Sequence, residues 1–221
     1  MRERNMKMKN RNRGLFTVFT VVLMCCIVCL LPGNVQAASK ATKAKKAYAS
    51  YLVKQQKQVP YLTLKFGLID INKDGVPELV TTPDNWYNAD IYAYVNGKVK
   101  CVGWAFSGDC AFYPSRKVYY RHTCHTGVDE YHYYTFNGKK MKEVACKYGS
   151  NTVNAVTGKQ KEEEDWMNFE PYKYTVKDKV VTEEEYNQYT ANLVKNAKKK
   201  KPTMRNNTAK NRGKYLSKSS K

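Results

Sequence analysis

Acid is scarce in this sequence and nearly absent from its ends. Nineteen Asp and Glu stand against 39 Lys and Arg in 221 residues, a formal net charge of +20. Residues 195–221 carry eleven basic residues and no acid, and residues 1–37 carry six and one. That leaves 22 basic and 18 acidic residues for 38–194, a nearly balanced centre. The basic excess therefore describes the two ends, and no specific nucleic-acid partner is expected of the fold.

Other absences exclude chemistry. The chain has no Gly-x-Ser-x-Gly and no glycine loop of the phosphate-cradling kind, so it lacks the signatures of common hydrolases and nucleotide binders. Only three histidines occur, His122, His125 and His132, with no second ligand pair at structural-zinc spacing. On a strand His122 and Cys124 share a face while His125 points away, which argues against zinc or copper there. Cys124 with His125 matches no local signature of a cysteine nucleophile. Asp129 and Glu130, adjacent on a strand, point to opposite faces and do not form an acid pair.

What is present begins with a leader. Six basic residues lie between Arg2 and Arg13, an apolar run extends from Gly14 to Leu31, and Pro32-Gly33 breaks it. Val35-Gln36-Ala37 places small residues at the cleavage positions, before Ala38. This order predicts a signal peptide over 1–37, an uncleaved anchor being the alternative, and a secreted or envelope-associated product. No transmembrane segment is expected in the mature chain. Export makes the four cysteines after the leader, Cys101, Cys110, Cys124 and Cys146, compatible with two disulfides. In a meander Cys124 and Cys146 lie two strands apart, too far to bridge, and the other two pairings stay open.

Residues 38–194 read as one α+β domain, an antiparallel hairpin meander of six to eight strands with an N-terminal and a C-terminal helix. Ala44, Tyr48, Tyr51 and Leu52 share one face of a helix over 39–58 that Pro60 ends. Strands follow at 65–70 and 78–82. Two hairpins are expected around Asn96-Gly97 and Asn137-Gly138, each an Asn-Gly-Lys turn. Another strand pair spans 117–124 and 130–136, and a last one lies at 172–176 and 179–181. Thr182-x-x-Glu185 is a capping box that opens the C-terminal helix. The many tyrosines, 18 in all, are read first as sheet faces and core, and second as a ligand platform. Segments 105–116 and 149–170 carry little pattern. Residues 195–221, without apolar period, are expected to be a disordered basic tail.

One stretch is specific, Phe66-Gly67-Leu68-Ile69-Asp70-Ile71-Asn72-Lys73-Asp74-Gly75-Val76-Pro77-Glu78-Leu79. Asp70, Asn72 and Asp74 put oxygens at alternate positions, Gly75 permits a sharp turn, Val76 can offer a carbonyl and Glu78 can complete the shell. This is the first half of an EF-hand loop code, but position 12 is Thr81 and the flanks read as strands. The stretch resembles the calcium loops of FG-GAP and VCBS repeats, in which such a loop joins two strands. It is similar to exported bacterial proteins with one copy of the motif between an N-terminal helix and Tyr-rich hairpins. The resemblance implies a structural calcium held by Asp70, Asn72, Asp74 and Glu78 side chains and the Val76 carbonyl. An affinity on the order of 10⁻⁴ to 10⁻³ M is expected of such an extracellular site. A metal-free turn built by the same Asp and Asn residues is the alternative.

The function expected on this basis is a secreted or surface-associated, non-enzymatic module that binds an extracellular ligand, with the 195–221 tail contacting anionic cell-envelope polymers. The alternative is an extracellular enzyme or enzyme inhibitor with a site on loops such as 105–116 or 148–170.

Overall fold

A computed structural model of the protein describes residues 32–83, 88–106, 109–125, 127–162 and 168–217. The basic and apolar parts of the expected leader lie outside these residues, as does most of the acidic run at 162–165. Residues 1–40 and 41–221 form separate compact units. Of the first, 32–40 is described, and it is helical. It opens helix α1, Pro32–Gln58, which runs through the expected cleavage point before Ala38.

The second unit is α+β. Its strands are β1 Leu64–Ile69, β2 Glu78–Pro83, β3 Asn88–Val95, β4 Lys98–Phe106, β5 Cys110–Tyr113, β6 Val118–His125, β7 Val128–Phe136, β8 Met141–Ser150, β9 Lys173–Val176, β10 Lys179–Val181 and β11 Arg205–Asn206. Two further helices are α2, Glu183–Val194, and α3, Ala209–Leu216. The strands form two antiparallel sheets in place of the single meander expected. One has the order β11-β1-β2-β3-β4 and the other β10-β9-β8-β7-β6-β5. The extra strand β5 falls in a segment that alternation did not mark. Its Phe112 is fully buried, and the short turn Pro114–Arg116 leads into β6 through Lys117 at φ 57°.

Three apolar clusters order the layers. Ile69, Ile71, Val80, Ile91 and Ala93 of the first sheet pack on Phe112, Tyr119 and Phe136 of the second. The far face of the first sheet, with Phe66, Leu79 and Tyr92, is covered by Ala44, Tyr48 and Leu52 of α1 and by Leu216 of α3. The far face of the second sheet is covered by α2, where Tyr186 meets Ala145 and Tyr174. The stack is helix, sheet, sheet, helix. Strand β2 is buried along nearly its whole length because it has a layer on both faces.

Most tyrosines serve this packing. Tyr92 lies 4.8 Å from Tyr51 of α1, and Tyr120 lies 4.9 Å from Tyr133 across β6–β7. Thr182 caps α2, accepting the Glu185 amide while the Glu185 carboxylate accepts from the Thr182 amide.

The two Asn-Gly-Lys turns differ. Asn96 and Gly97 close a two-residue hairpin with φ values of 51° and 78°, the geometry that favours Asn-Gly. The second turn holds four residues between the paired Phe136 and Met141, and the Asn137 side chain accepts from the amides of Lys139 and Lys140.

The basic tail is folded through Ser217, contrary to the disorder expected of it. Arg205 and Asn206 pair with Phe66 and Lys65 of β1, covering an otherwise open sheet edge. Buried Asn207 donates to the Leu52 carbonyl at 3.0 Å. Leu216, 2 % exposed, plugs the cluster beneath α1. A few anchors hold a polar segment whose composition alone resembles a disordered one. Among the described residues no helix is long and apolar enough to cross a membrane.

Candidate metal centre

The β1–β2 connection winds tightly because two residues adopt left-handed backbone, Lys73 at φ 56° and Gly75 at φ 80°. This brings three of the expected ligands together. The Asp70 carboxylate accepts from the Asp74 amide through Oδ1 at 3.2 Å and from the Gly75 amide through Oδ2 at 3.0 Å. Asp74 accepts from the Val76 amide at 2.8 Å and from the Asn72 side-chain amide at 3.1 Å. Glu78, at the start of β2, reaches back to accept from the Ile71 amide at 2.9 Å. Val76 is buried beside Phe66 and Leu79, which fixes the backbone that carries its carbonyl. Lys73 is exposed.

Two features of this loop are costly without a cation. Asn72 is 7 % exposed and its Oδ1 is buried with no hydrogen-bond partner. Glu78 is 2 % exposed, and burial pushes its carboxyl up to about 8, with Asp74 and Asp70 adding repulsion against the help of the Ile71 amide. A buried amide oxygen and a buried carboxylate beside two further carboxylates are the donor set of a hard cation.

The cover over the loop comes from the second sheet. A side chain at Gly138, φ 84°, would lie 2.7 Å from the Asn72 Nδ2 and 3.3 Å from the Asp74 Oδ2. The Asn137-Gly138 turn thus closes against the loop, and its glycine is needed for that approach as well as for its backbone angle. Beside the loop a cleft of about 440 Å³ is lined by Leu68, Asp70, Lys73, Pro114, Lys200 and Thr203.

The second sheet carries two polar clusters. On its α2 side, buried Asp129 lies 2.6 Å from the His122 Nε2 and accepts from the Tyr172 hydroxyl at 2.8 Å. His122 stacks on Tyr131 at 4.1 Å, and the Lys147 ammonium sits 3.9 Å from the Tyr172 ring centre. On the opposite face a row of paired residues, Cys110, Arg121, His132, Cys146 and Thr175, crosses five strands. The Arg121 guanidinium lies 3.6 Å from the Trp104 ring centre. His132 Nδ1 is 2.7 Å from Glu143, and its Nε2 is 3.3 Å from Glu130.

Among the described residues the four cysteines are free thiols, so neither of the two disulfides compatible with export is formed among them. Cys101 lies on β4 of the first sheet and the other three on the second. Cys124 is paired opposite Asp129 and Cys146 opposite His132, on strands separated by β7. Burial, with Glu143 and Glu130 nearby, pushes the Cys146 thiol up to about 12.

Sequence reasoning found the loop at 70–78 and set the histidines aside. It separated His122 from His125 correctly by strand alternation, but it missed Glu143 and Cys146 as neighbours of His132. Residues three apart on a regular strand face opposite ways, and only a bulge brings these two to one side. No protein-family model, curated protein or solved structure matches the chain.

Proposed function

We propose that this chain is an exported, non-enzymatic binding module in which the 70–78 loop holds a structural calcium ion of the FG-GAP/VCBS type. The observation that carries the reading is the buried Asn72 Oδ1, which has no hydrogen-bond partner, on a side chain whose amide nitrogen donates to Asp74. Asp70, Asn72, Asp74 and Glu78 would supply side-chain oxygens and Val76 its carbonyl. Calcium would neutralise the carboxylates and tie the β1–β2 turn to the start of β2. In this reading these residues bind and brace.

Export rests on the basic, apolar and small-residue order of residues 1–37. The ligand class proposed is an anionic envelope polymer. It is supported by the absence of acid in 195–221 and by Lys73 and Lys200 lining the cleft beside the loop.

The test is thermal unfolding of the full chain in chelator and in calcium. At a calcium concentration about a hundred times Kd, binding to the folded state adds about 2.7 kcal/mol. For a domain of this size that raises Tm by roughly 5–10 °C. Asp74→Ala is expected to remove the response. Equal melting of the native sequence in both conditions would overturn the calcium assignment.

A further inference from the structure

The loop is not the only place where metal ligands meet. One nitrogen of His132, a carboxylate oxygen of Glu143 and the Cys146 sulfur all lie within 4.8 Å of one another. Strand β8 is built so that they do. Its register against β7 passes from Tyr133↔Ala145 to Tyr134↔Glu143, which leaves Val144 as an extra residue. The Val144 carbonyl accepts from the Lys177 amide at 3.0 Å, outside the strand ladder. The bulge turns Glu143 to the face that Cys146 occupies, where an unbroken strand would point it away.

We propose that His132, Glu143 and Cys146 form a second metal site, for a borderline divalent ion of the zinc class. Sulfur, imidazole and carboxylate together suit zinc and its neighbours, and they do not suit calcium or magnesium. Three protein ligands leave a fourth position for water. The geometry assigns Nδ1 of His132 as the ligating atom, because Glu143 Oε2 lies 2.7 Å from it. The other nitrogen, Nε2, then donates to Glu130 Oε2 at 3.3 Å. A ligating histidine held through its second nitrogen by a carboxylate is the usual outer-shell arrangement. Glu130 is thus a positioning residue.

Charge fits the same picture. Glu130, Glu143 and a Cys146 thiolate bring three negative charges, and Arg121, paired with His132 on the next strand, brings one positive. Lys173 also acts on the Cys146 sulfur, so a divalent ion together with these two cations offsets the three negative charges. Glu143, whose side chain is 40 % exposed, leaves a path of entry, while His132 at 10 % is fixed between strands.

The site is independent of the calcium loop, and its test is read separately. The reduced full chain is titrated with cobalt(II) in millimolar calcium, which occupies oxygen sites and cannot give a sulfur signal. The expected result is one equivalent of cobalt with a thiolate charge-transfer band in the near ultraviolet. Cys146→Ser abolishes the band, Cys124→Ser retains it, and Glu130→Gln weakens binding by about tenfold or more. In the native sequence, zinc slows alkylation of Cys146 at least about tenfold and leaves exposed Cys124 unchanged. This second measurement decides the matter if Cys146→Ser does not fold. Absence of the band in folded protein, its survival in folded Cys146→Ser, or alkylation of Cys146 at the same rate with zinc would overturn the assignment.

Discussion

Glu78 concentrates the energetics of the loop in one side chain. Its carboxyl is buried, accepts the Ile71 amide and is pushed up to about 8, against an ordinary value of 4.5, because burial disfavours its charge. The folded chain thus holds this proton more tightly than the unfolded chain does. The stabilisation that the proton gives is complete below about 4.5 and is lost as pH rises towards about 8. A bound divalent ion opposes the loss by favouring the ionised carboxylate. The expected outcome is that Tm in chelator falls across this window relative to Tm in calcium, so the two curves separate as pH rises. Glu78→Gln keeps an acceptor for the Ile71 amide and carries no charge. It is expected to raise Tm in chelator near pH 8 and to erase the separation. Parallel curves in the native sequence, measured by calorimetry between about pH 5 and pH 8, would show that Glu78 is not the coupled group.

The C-terminal segment shows how few contacts turn a polar stretch into an element. Its strand β11 holds two residues, yet it covers the edge of β1, and Gly67 beneath it has no room for a side chain against Met204 and Pro202. Leu216 adds a fully enclosed apolar side chain to the α1 cluster. Deleting 195–221 is therefore expected to destabilise the domain. Loss of the Leu216 packing alone costs about 2–5 kcal/mol, and exposure of the β1 edge adds to it. Urea unfolding checks this, and an unchanged midpoint would mean that the tail is held too weakly to matter. Sequence periodicity marked α1, α2 and most of the strands because each has either a repeating apolar face or a turn signal. It could not find β5 or β11, which owe their pairing to partners distant in sequence. The Asn137-Gly138 turn read as a copy of Asn96-Gly97, since a dipeptide carries no record of what packs on it. The bulge at Val144 was illegible for the same reason. Alternation is a local rule, and a one-residue insertion is visible only against its partner strand.

At the scale of the molecule, the two sheets meet where chemistry collects. The 70–78 loop belongs to the first sheet and is covered by the Asn137-Gly138 turn of the second, which joins the two strands that carry His132 and Cys146. Spacing alone located the loop residues because alternate oxygens before a glycine are a local pattern. Their burial depended on the second sheet and was not readable. The acid-poor ends and the nearly balanced centre are what the proposed attraction to polyanions rests on, an attraction screened over about 10 Å at moderate salt. The most direct test of the account is a calcium titration of the isotopically labelled full chain followed by its backbone amide signals. The account predicts saturable shifts at Ile71, Asp74, Gly75 and Val76, with smaller ones at Gly138, and a Kd on the order of 10⁻⁴ to 10⁻³ M. Amide signals of the 70–78 loop that stay in place up to about 10 mM calcium would contradict it.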